Sequence, residues 1–161
     1  MAKFKIGQGY DVHALASGLP MRLAGVDIPF DKGFVAHSDG DVAIHALCDA
    51  VLGALAMGDI GKHFPDNDPA YKGIDSMILL GKVTKMMQEQ GYCIGNVDIT
   101  IALQEPKIRP YIDTMRHTLS TVLGCDADCV SIKATTTEKM GFVGRGDGCE
   151  VWAVCLLEKL I

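Results

Sequence analysis

Three features that would each assign a chain to a distinct class of proteins are missing from this sequence. No stretch approaches the roughly 18 to 20 apolar residues needed to cross a bilayer, and the N-terminal segment has no apolar core of a secretory signal. The 15 basic side chains, set against 20 acidic ones, form no cluster of the kind that binds nucleic acid. We therefore expect a soluble, cytoplasmic protein with no nucleic-acid or membrane partner.

A paired-cysteine motif is also absent, although cysteine itself is present. The six cysteines are scattered through apolar segments, and no two of them form a CxxC arrangement. Free cysteine commonly behaves as a small buried hydrophobic residue. We therefore interpret all six as reduced core residues: Cys48, Cys93, Cys125, Cys129, Cys149 and Cys155.

The apolar content sets limits on the architecture. The chain has 161 residues, of which 48% are hydrophobic and 22% charged, which is enough for one domain over residues 1–161 with a substantial core. The aliphatic segments look more numerous than the faces of one small domain require. Oligomers bury such a surplus between subunits, so the composition is consistent with self-assembly.

Hydrophobic periodicity and turn residues predict an α+β fold. Strands are predicted at 4–13, 95–103, 130–137 and 149–157, with a hairpin over 21–29 that turns near Gly25. Helices are predicted from 42 to the stop at Gly58, over 75–90, and after Pro110 up to Gly124, with loops at 32–38 and 59–73 and a glycine-rich turn at 144–148. Because strands and helices do not alternate strictly, we favour a two-layer sandwich with helices packed on one face of a mixed β-sheet.

Histidine is used sparingly in the first third of the chain, and its placement predicts a metal site. Asp11 and His13 stand two apart in the first predicted strand, which places them on one face, and His45 lies in the first predicted helix. One Asp and two His suit a divalent ion such as Zn²⁺, and three protein ligands leave a coordination position open. Taken singly, each histidine has an ordinary structural interpretation, His45 as a partner of Asp49 on the same helix face. Together they favour a metal, because polar side chains buried without partners cost roughly 1 to 3 kcal/mol each.

A second block combines hydroxyls, one carboxylate and glycine-rich backbone. Thr135-Thr136-Thr137-Glu138-Lys139 ends a predicted strand and is followed by a glycine-rich segment that contains Arg145. Consecutive threonines suit a strand and glycines suit a turn, so the block also has an ordinary structural interpretation. In a functional interpretation, hydroxyls, backbone N–H groups and Arg145 surround phosphate oxygens, and Glu138 offers a ligand to Mg²⁺ or Mn²⁺.

Considered jointly, the motifs resemble the 2-C-methyl-D-erythritol 2,4-cyclodiphosphate synthase family in order, spacing and total length. The resemblance extends over almost the whole chain and is carried by Gly9–His13, Ala36–Leu47, Gly58–Gly61, Phe64–Asp68, Gly95–Asp98 and Lys133–Lys139. It implies a metal-dependent phosphorus–oxygen lyase of the non-mevalonate isoprenoid pathway. Such an enzyme cyclises 4-diphosphocytidyl-2-C-methyl-D-erythritol 2-phosphate and expels CMP. The resemblance also implies a homotrimer with active sites between neighbouring subunits.

The resemblance assigns roles to particular residues. Asp11, His13 and His45 match zinc ligands, and Glu138 matches the ligand of a second ion, Mg²⁺ or Mn²⁺, between the substrate phosphates. We expect His37 and Thr136 to assist the transition state. The residues implied to contact substrate are Asp11, His13, His37, Ser38, Asp59, Ile60, Gly61, Phe64, Pro65, Asp66, Asn67, Asp68, Leu103, Gln104, Glu105, Pro106, Lys107, Ile108, Arg109, Thr135, Thr136, Thr137, Glu138, Phe142 and Arg145.

Some positions depart from the family pattern, and two rival functions stay open. Glu105 and Arg109 place charge where parts of the family have smaller or apolar residues. Glu150 and Trp152 lie in the last strand, which in the family borders a central trimer channel that can hold an isoprenoid diphosphate. The first rival is a zinc phosphohydrolase, in which the open metal position activates water. The second is a trimeric prenyl-diphosphate-binding protein with a structural zinc, which would require a fourth protein ligand.

Overall fold

A mixed five-stranded sheet forms the centre of the structure, a computed structural model that describes residues 2–161; Met1 lies outside it. The sheet order is β4-β1-β7-β5-β6, and all neighbours are antiparallel except the parallel pair β5 and β6. A separate antiparallel pair is formed by β2 and β3. The strands are β1 (Phe4–Ser17), β2 (Met21–Leu23), β3 (Val26–Ile28), β4 (Lys32–Phe34), β5 (Tyr92–Ala102), β6 (Val130–Thr135) and β7 (Gly148–Lys159). The predicted α+β class with a mixed sheet is confirmed.

Three longer helices cover one face of this sheet. They are α1 (Val42–Ala54), α3 (Ser76–Glu89) and α4 (Ile112–Leu123), and two single-turn helices are α2 (Ile60–His63) and α5 (Gly141–Gly144). Helix α1 packs on β1 and β7, α3 on β5, and α4 on β6. Eleven of the 13 residues of α1 are buried, as expected for a helix that packs both on the sheet and against α3. No helix among residues 2–161 is long and apolar enough to cross a membrane.

The opposite face of the sheet carries exposed apolar side chains. Along β1 and β7 the side chains alternate, so that every second residue faces the helices and the others point away from them. Ile6 is 74% exposed, and Tyr10 and Trp152 lie on the same face with ring centroids 5.5 Å apart. Phe4, Val12 and Val154 are exposed there as well. We call these six residues the open sheet face.

A buried carboxylate, that of Asp41, holds the start of α1. Asp41 caps the helix by accepting a hydrogen bond from the Ile44 N–H at 3.1 Å. It also accepts from the N–H groups of Ala24, at 2.8 Å, and Gly25, at 2.7 Å, in the β2–β3 turn. Burial raises the pKa of Asp41 to about 6, although these backbone donors lower it. The carboxylate thereby joins the β2–β3 hairpin to the helix that carries His45.

The structure corrects several predicted boundaries. Strand β1 continues beyond the predicted end at residue 13 to Ser17, because its end pairs with β4. Strand β4 itself lies inside the predicted loop 32–38. Strand β5 begins at Tyr92, before the predicted start at residue 95, and contains a bulge. The predicted loop 59–73 contains α2 and a 3-10 turn over Pro69–Tyr71, which are capped by Asp59 and Asp68. Near the predicted glycine-rich turn, the chain forms α5. These elements are three or four residues long, too short to show a period in the sequence.

The prediction of reduced cysteines is confirmed for all six residues, and the prediction of a core position for half of them. All six are free thiols. Cys48, Cys149 and Cys155 are buried, whereas Cys93, Cys125 and Cys129 are partly exposed, so the prediction of a core position was wrong for these three. Cys93 lies in β5 at a position that faces away from the helices, and Cys125 and Cys129 flank the turn that follows α4.

Candidate functional site

Strand β1 and helix α1 bring together the three predicted metal ligands. Asp11 and His13 alternate onto the helix-facing side of β1, and His45 projects from the first turn of α1. The Nε2 atom of His13 lies 3.0 Å from Asp11 Oδ2 and 3.0 Å from His45 Nδ1, and His45 Nδ1 lies 3.2 Å from Asp11 Oδ2. Three ligand atoms therefore form a nearly equilateral triangle.

The size of this triangle suits a zinc ion. Zn–N and Zn–O bonds of about 2.0 to 2.1 Å in a tetrahedral site place neighbouring ligand atoms about 3.3 Å apart. The observed edges of 3.0 to 3.2 Å come within a few tenths of an ångström of that value. The donor set of one carboxylate and two imidazoles is also typical of catalytic zinc. The residues present therefore fit Zn²⁺ with one coordination position left open.

The proximity of the three side chains shifts the ionisation of Asp11 and of His45. Burial raises the pKa of Asp11, but hydrogen bonds and the charges of His13 and His45 lower it more, leaving it well below its usual range. Burial lowers the pKa of His45, but the hydrogen bond and charge of Asp11 raise it above its usual value. The site therefore already favours a cation close to the Asp11 carboxylate.

A cavity of about 310 Å³ opens beside the three ligands. Seven further residues predicted to contact substrate line it: His37, Ser38, Asp59, Ile60, Gly61, Phe64 and Asp66. The other lining residues were not predicted to contact substrate, and of these the sequence suggested a role only for Asp49, as a partner of His45. They are Ala36, Asp49, Tyr71, Ile74 and Leu79. Among residues 2–161, no lysine or arginine lines this cavity, whose charged side chains include four carboxylates. We call it the metal cavity.

Asp49 has a different role from the one that its position suggested. The sequence allowed it to be the partner of His45, but its carboxylate accepts a hydrogen bond from the Ile60 N–H at 2.8 Å. The His45 ring instead contacts Asp11, His13 and two serine hydroxyls. Asp49 thus attaches α2 to α1, and burial raises its pKa. The sequence signal for Asp49 was its place one turn beyond His45, on the same helix face.

A second, smaller cavity of about 160 Å³ lies where the parallel strands β5 and β6 end. Its lining contains eight of the residues predicted to contact substrate: Leu103, Gln104, Pro106, Lys107, Ile108, Arg109, Thr135 and Thr136. None of its lining residues also lines the metal cavity. We call it the strand-end cavity. Within one chain, the predicted contact residues are therefore divided between two places.

The remaining predicted residues lie outside both cavities. Glu105 and Arg145 line a third cavity of about 370 Å³, which Lys32 and Lys139 also line. The Arg145 guanidinium forms a salt bridge of 2.9 Å with the Asp147 carboxylate. The side chain of Thr137 donates to the Met140 carbonyl, and Asp68 caps the Pro69–Tyr71 turn. The others that line none of the three are Pro65, Asn67, Glu138 and Phe142.

The fold recurs in known proteins. The model of the YgbB family matches residues 4–158. The chain is 58% identical, over 99% of both lengths, to a 2-C-methyl-D-erythritol 2,4-cyclodiphosphate synthase of Thioalkalivibrio sulfidiphilus. A solved CDP complex of IspF from Plasmodium falciparum is 35% identical over 100% of both chains, with a TM-score of 0.88. The bifunctional IspDF of Campylobacter jejuni is 40% identical over 98% of this chain and 42% of its own, with a TM-score of 0.94. Because the family model covers nearly the whole chain and the identity is high over full length, the chain belongs to the YgbB family.

Proposed function

We propose that this protein converts 4-diphosphocytidyl-2-C-methyl-D-erythritol 2-phosphate to 2-C-methyl-D-erythritol 2,4-cyclodiphosphate and releases CMP, a step of isoprenoid biosynthesis. The observation that carries the proposal is the ligand triangle of Asp11, His13 and His45, which opens onto the metal cavity. Full-length relatives that bear the name of this activity support it. The metal dependence follows from the charges of the site.

The metal cavity has the wrong charge for a phosphorylated substrate unless cations are added. Its carboxylates include Asp49 and Asp59, and among residues 2–161 no basic side chain other than histidine lines it. Two phosphate groups brought there would repel these carboxylates and each other. When bound by Asp11, His13 and His45, Zn²⁺ supplies Lewis-acid neutralisation of phosphate charge. A second ion, Mg²⁺ or Mn²⁺, would supply further neutralisation of phosphate charge, and Glu138 would hold it.

Glu138 is suitable for that second ion because its carboxylate is free to bind. The residue is exposed, adopts a left-handed conformation with φ of 53°, and its N–H donates to the Thr136 hydroxyl at 3.3 Å. Within the described part of the chain, no salt bridge engages its carboxylate. Glu138 follows Thr136, which lines the strand-end cavity, by two residues.

The chemical step requires no nucleophilic side chain. An oxygen of the 2-phosphate, ionised at neutral pH, attacks the phosphorus that is bonded to the C4 oxygen. The bond from that phosphorus to the bridging oxygen breaks, and CMP leaves with the electron pair, in the in-line geometry usual for phosphoryl transfer. The barrier lies in bringing two anions together, so the protein contributes positioning and electrostatics. His37 and Thr136 are proposed to assist the charge that develops in the transition state.

The two residues proposed to assist the transition state, His37 and Thr136, lie at different cavities of one chain. His37 lines the metal cavity and Thr136 lines the strand-end cavity, and the two have no lining residue in common. We therefore propose a homotrimer in which the strand-end cavity of one subunit, holding the cytidine, adjoins the metal cavity of the next. The open sheet face supports assembly, because exposed apolar patches of this kind mark interfaces.

The open sheet face is also where a central channel would form. Glu150 accepts a hydrogen bond from the Tyr10 hydroxyl at 2.7 Å, and with burial this raises the pKa of Tyr10 to about 12. Trp152 lies beside the same tyrosine. An isoprenoid diphosphate could occupy a channel lined by this face, with its apolar chain against Trp152 and its neighbours. Mass spectrometry of the purified assembly under non-denaturing conditions tests both the trimer and such a ligand.

The reaction is tested by incubating the purified protein with the cytidyl substrate, Zn²⁺ and Mg²⁺, and following the products by phosphorus NMR. The proposal predicts a cyclic diphosphate together with CMP. Release of inorganic phosphate would indicate the zinc phosphohydrolase instead, and an unchanged spectrum would indicate a binding protein. His45→Ala is expected to lose bound zinc and turnover together while the assembly persists. His117→Ala, which removes an exposed histidine of α4 that lines neither cavity, is the matched control.

A further inference from the structure

A buried serine, Ser76, links the imidazole ring of His45, a proposed metal ligand, to the carboxylate of Asp39. Ser76, the first residue of α3, is 0% exposed, and its Oγ lies 2.9 Å from His45 Nε2. The same hydroxyl donates a short hydrogen bond to Asp39 Oδ1, and the Ser76 N–H donates to Asp39 Oδ2 at 2.8 Å. His45, Ser76 and Asp39 therefore form one continuous chain of hydrogen bonds.

With a metal ion in the triangle, these hydrogen bonds can run in only one donor-to-acceptor direction, from His45 through Ser76 to Asp39. His45 presents Nδ1 to Asp11 and His13, so a metal ion in the triangle requires the lone pair of Nδ1. The ring proton must then reside on Nε2, which makes Nε2–H a donor to the Ser76 oxygen. Ser76 in turn donates its own proton to Asp39, which accepts when ionised. Each group has one role, and reversing any of them would place the ring proton where the metal binds.

Asp39 is itself held by other elements. Its carboxylate also accepts from the Asp41 N–H at 3.1 Å and lies 3.7 Å from the Arg22 guanidinium of β2. Arg22 also pairs with Asp75, the residue that precedes Ser76. The side chain of Asp39 is only 15% exposed. The carboxylate is thus fixed from three directions before any metal binds.

We propose that Ser76 and Asp39 are positioning residues, which fix the tautomer and orientation of His45 and thereby set the affinity of the site for Zn²⁺. The inference rests on the proposed metal site. Ser38 is a weaker alternative acceptor for the ring, because its Oγ lies 3.2 Å from His45 Nε2 and it lines the open metal cavity. Outer-shell partners of metal-bound histidine typically affect metal affinity by about 10- to 100-fold when removed.

The test measures zinc affinity by competition with a chromophoric chelator and, separately, the imidazole nitrogens of His45 by NMR in the zinc-loaded protein. Ser76→Ala is expected to weaken zinc binding by about 10- to 100-fold and to shift the Nε2–H signal. Ser76→Thr, which keeps the hydroxyl, is expected to restore most of the affinity. Thr84→Val is the matched control, since it removes a buried hydroxyl of the same helix that has no hydrogen-bond partner among the described residues.

The outcomes separate this inference from the metal site on which it rests. If Ser76→Ala binds zinc as tightly as the wild type with an unchanged His45 signal, the positioning role is overturned and the metal site stands. If the wild type binds no zinc, or His45→Ala binds it equally well, the metal site itself fails and the inference with it. Should Ser76→Ala not fold, Asp39→Asn provides the same test, because it keeps the shape of the side chain but removes its charge. Unchanged zinc affinity in Asp39→Asn would likewise overturn the inference.

Discussion

The contact between β1 and α1 predicts that one methyl group can disrupt the metal site from a distance. Gly9 faces the backbone of α1 so closely that a Cβ atom there would lie 1.8 Å from the Ala46 carbonyl oxygen and 2.7 Å from the Ala50 nitrogen. Real Cβ atoms essentially never approach other atoms closer than 3.0 Å, so Gly9→Ala requires the strand and the helix to separate by about 1.2 Å. Neither neighbour is a flexible side chain that could move aside.

The same separation would open the ligand triangle. Asp11 and His13 lie on the same side of β1 as Gly9, and His45 is adjacent to Ala46 in α1. Metal–ligand distances tolerate deviations of only about 0.2 Å, well below the required movement. We therefore expect Gly9→Ala to weaken zinc binding by at least about 10-fold. This is the lower end of the range typical for removal of an outer-shell partner of a metal ligand. Overpacking should also reduce the free energy of unfolding by about 1 to 3 kcal/mol.

Zinc competition and urea unfolding measure the two effects, and a second glycine provides the control. Gly53 lies in α1, and a Cβ there would be 3.7 Å from the Gln8 carbonyl oxygen, an ordinary van der Waals distance. Gly53→Ala should therefore keep zinc affinity and increase the free energy of unfolding by up to about 0.5 to 1 kcal/mol, because alanine loses less conformational freedom than glycine on entering a helix. Wild-type zinc affinity in Gly9→Ala, or equal losses in both variants, would refute the reasoning.

Three other properties follow from the charges and the burial. Glu138→Gln should chiefly weaken the dependence of turnover on Mg²⁺ or Mn²⁺, and an unchanged metal titration curve would contradict its role. The pKa of His45 is raised, and zinc requires the neutral ring, so zinc affinity should increase as pH rises from about 6 to about 8. A zinc affinity that does not change with pH in isothermal titration would be inconsistent with this. Burial raises the pKa of the Cys48 and Cys149 thiols well above the usual value. Ellman's reagent should therefore leave both unmodified in the native protein while it reacts with the partly exposed Cys93. Rapid labelling of Cys149 in the native protein would argue against the packing described.

The elements that the sequence predicted best have local determinants. Helix α3 was predicted over 75–90 and runs from Ser76 to Glu89, because Asp75 accepts the Met77 N–H as a cap and Gly91 adopts a left-handed φ of 77°. The short elements were missed because long-range contacts create them. Strand β4 exists only through its pairing with the end of β1, and α2 depends on the hydrogen bond from Ile60 to Asp49.

The candidate site shows the same division between local and long-range information. Spacing alone placed Asp11 and His13 on one face of a strand, a purely local inference. That His45 would join them was inferred from the ligand chemistry of one Asp and two His and supported by the family resemblance, since no local pattern fixes how a helix docks on a strand. Ser76 was recognised only as a helix start, because its contact with His45 spans 31 residues of sequence. Likewise, no sequence pattern indicates that the predicted substrate contacts divide between the metal cavity and the strand-end cavity.

The metal site is tested most directly by a crystal structure of the protein grown with zinc, with anomalous scattering recorded at the zinc edge. We expect one ion about 2.0 to 2.1 Å from Asp11 Oδ2, His13 Nε2 and His45 Nδ1, with its fourth position facing the metal cavity. An ion bound elsewhere, or one closed by a fourth protein ligand, would contradict it.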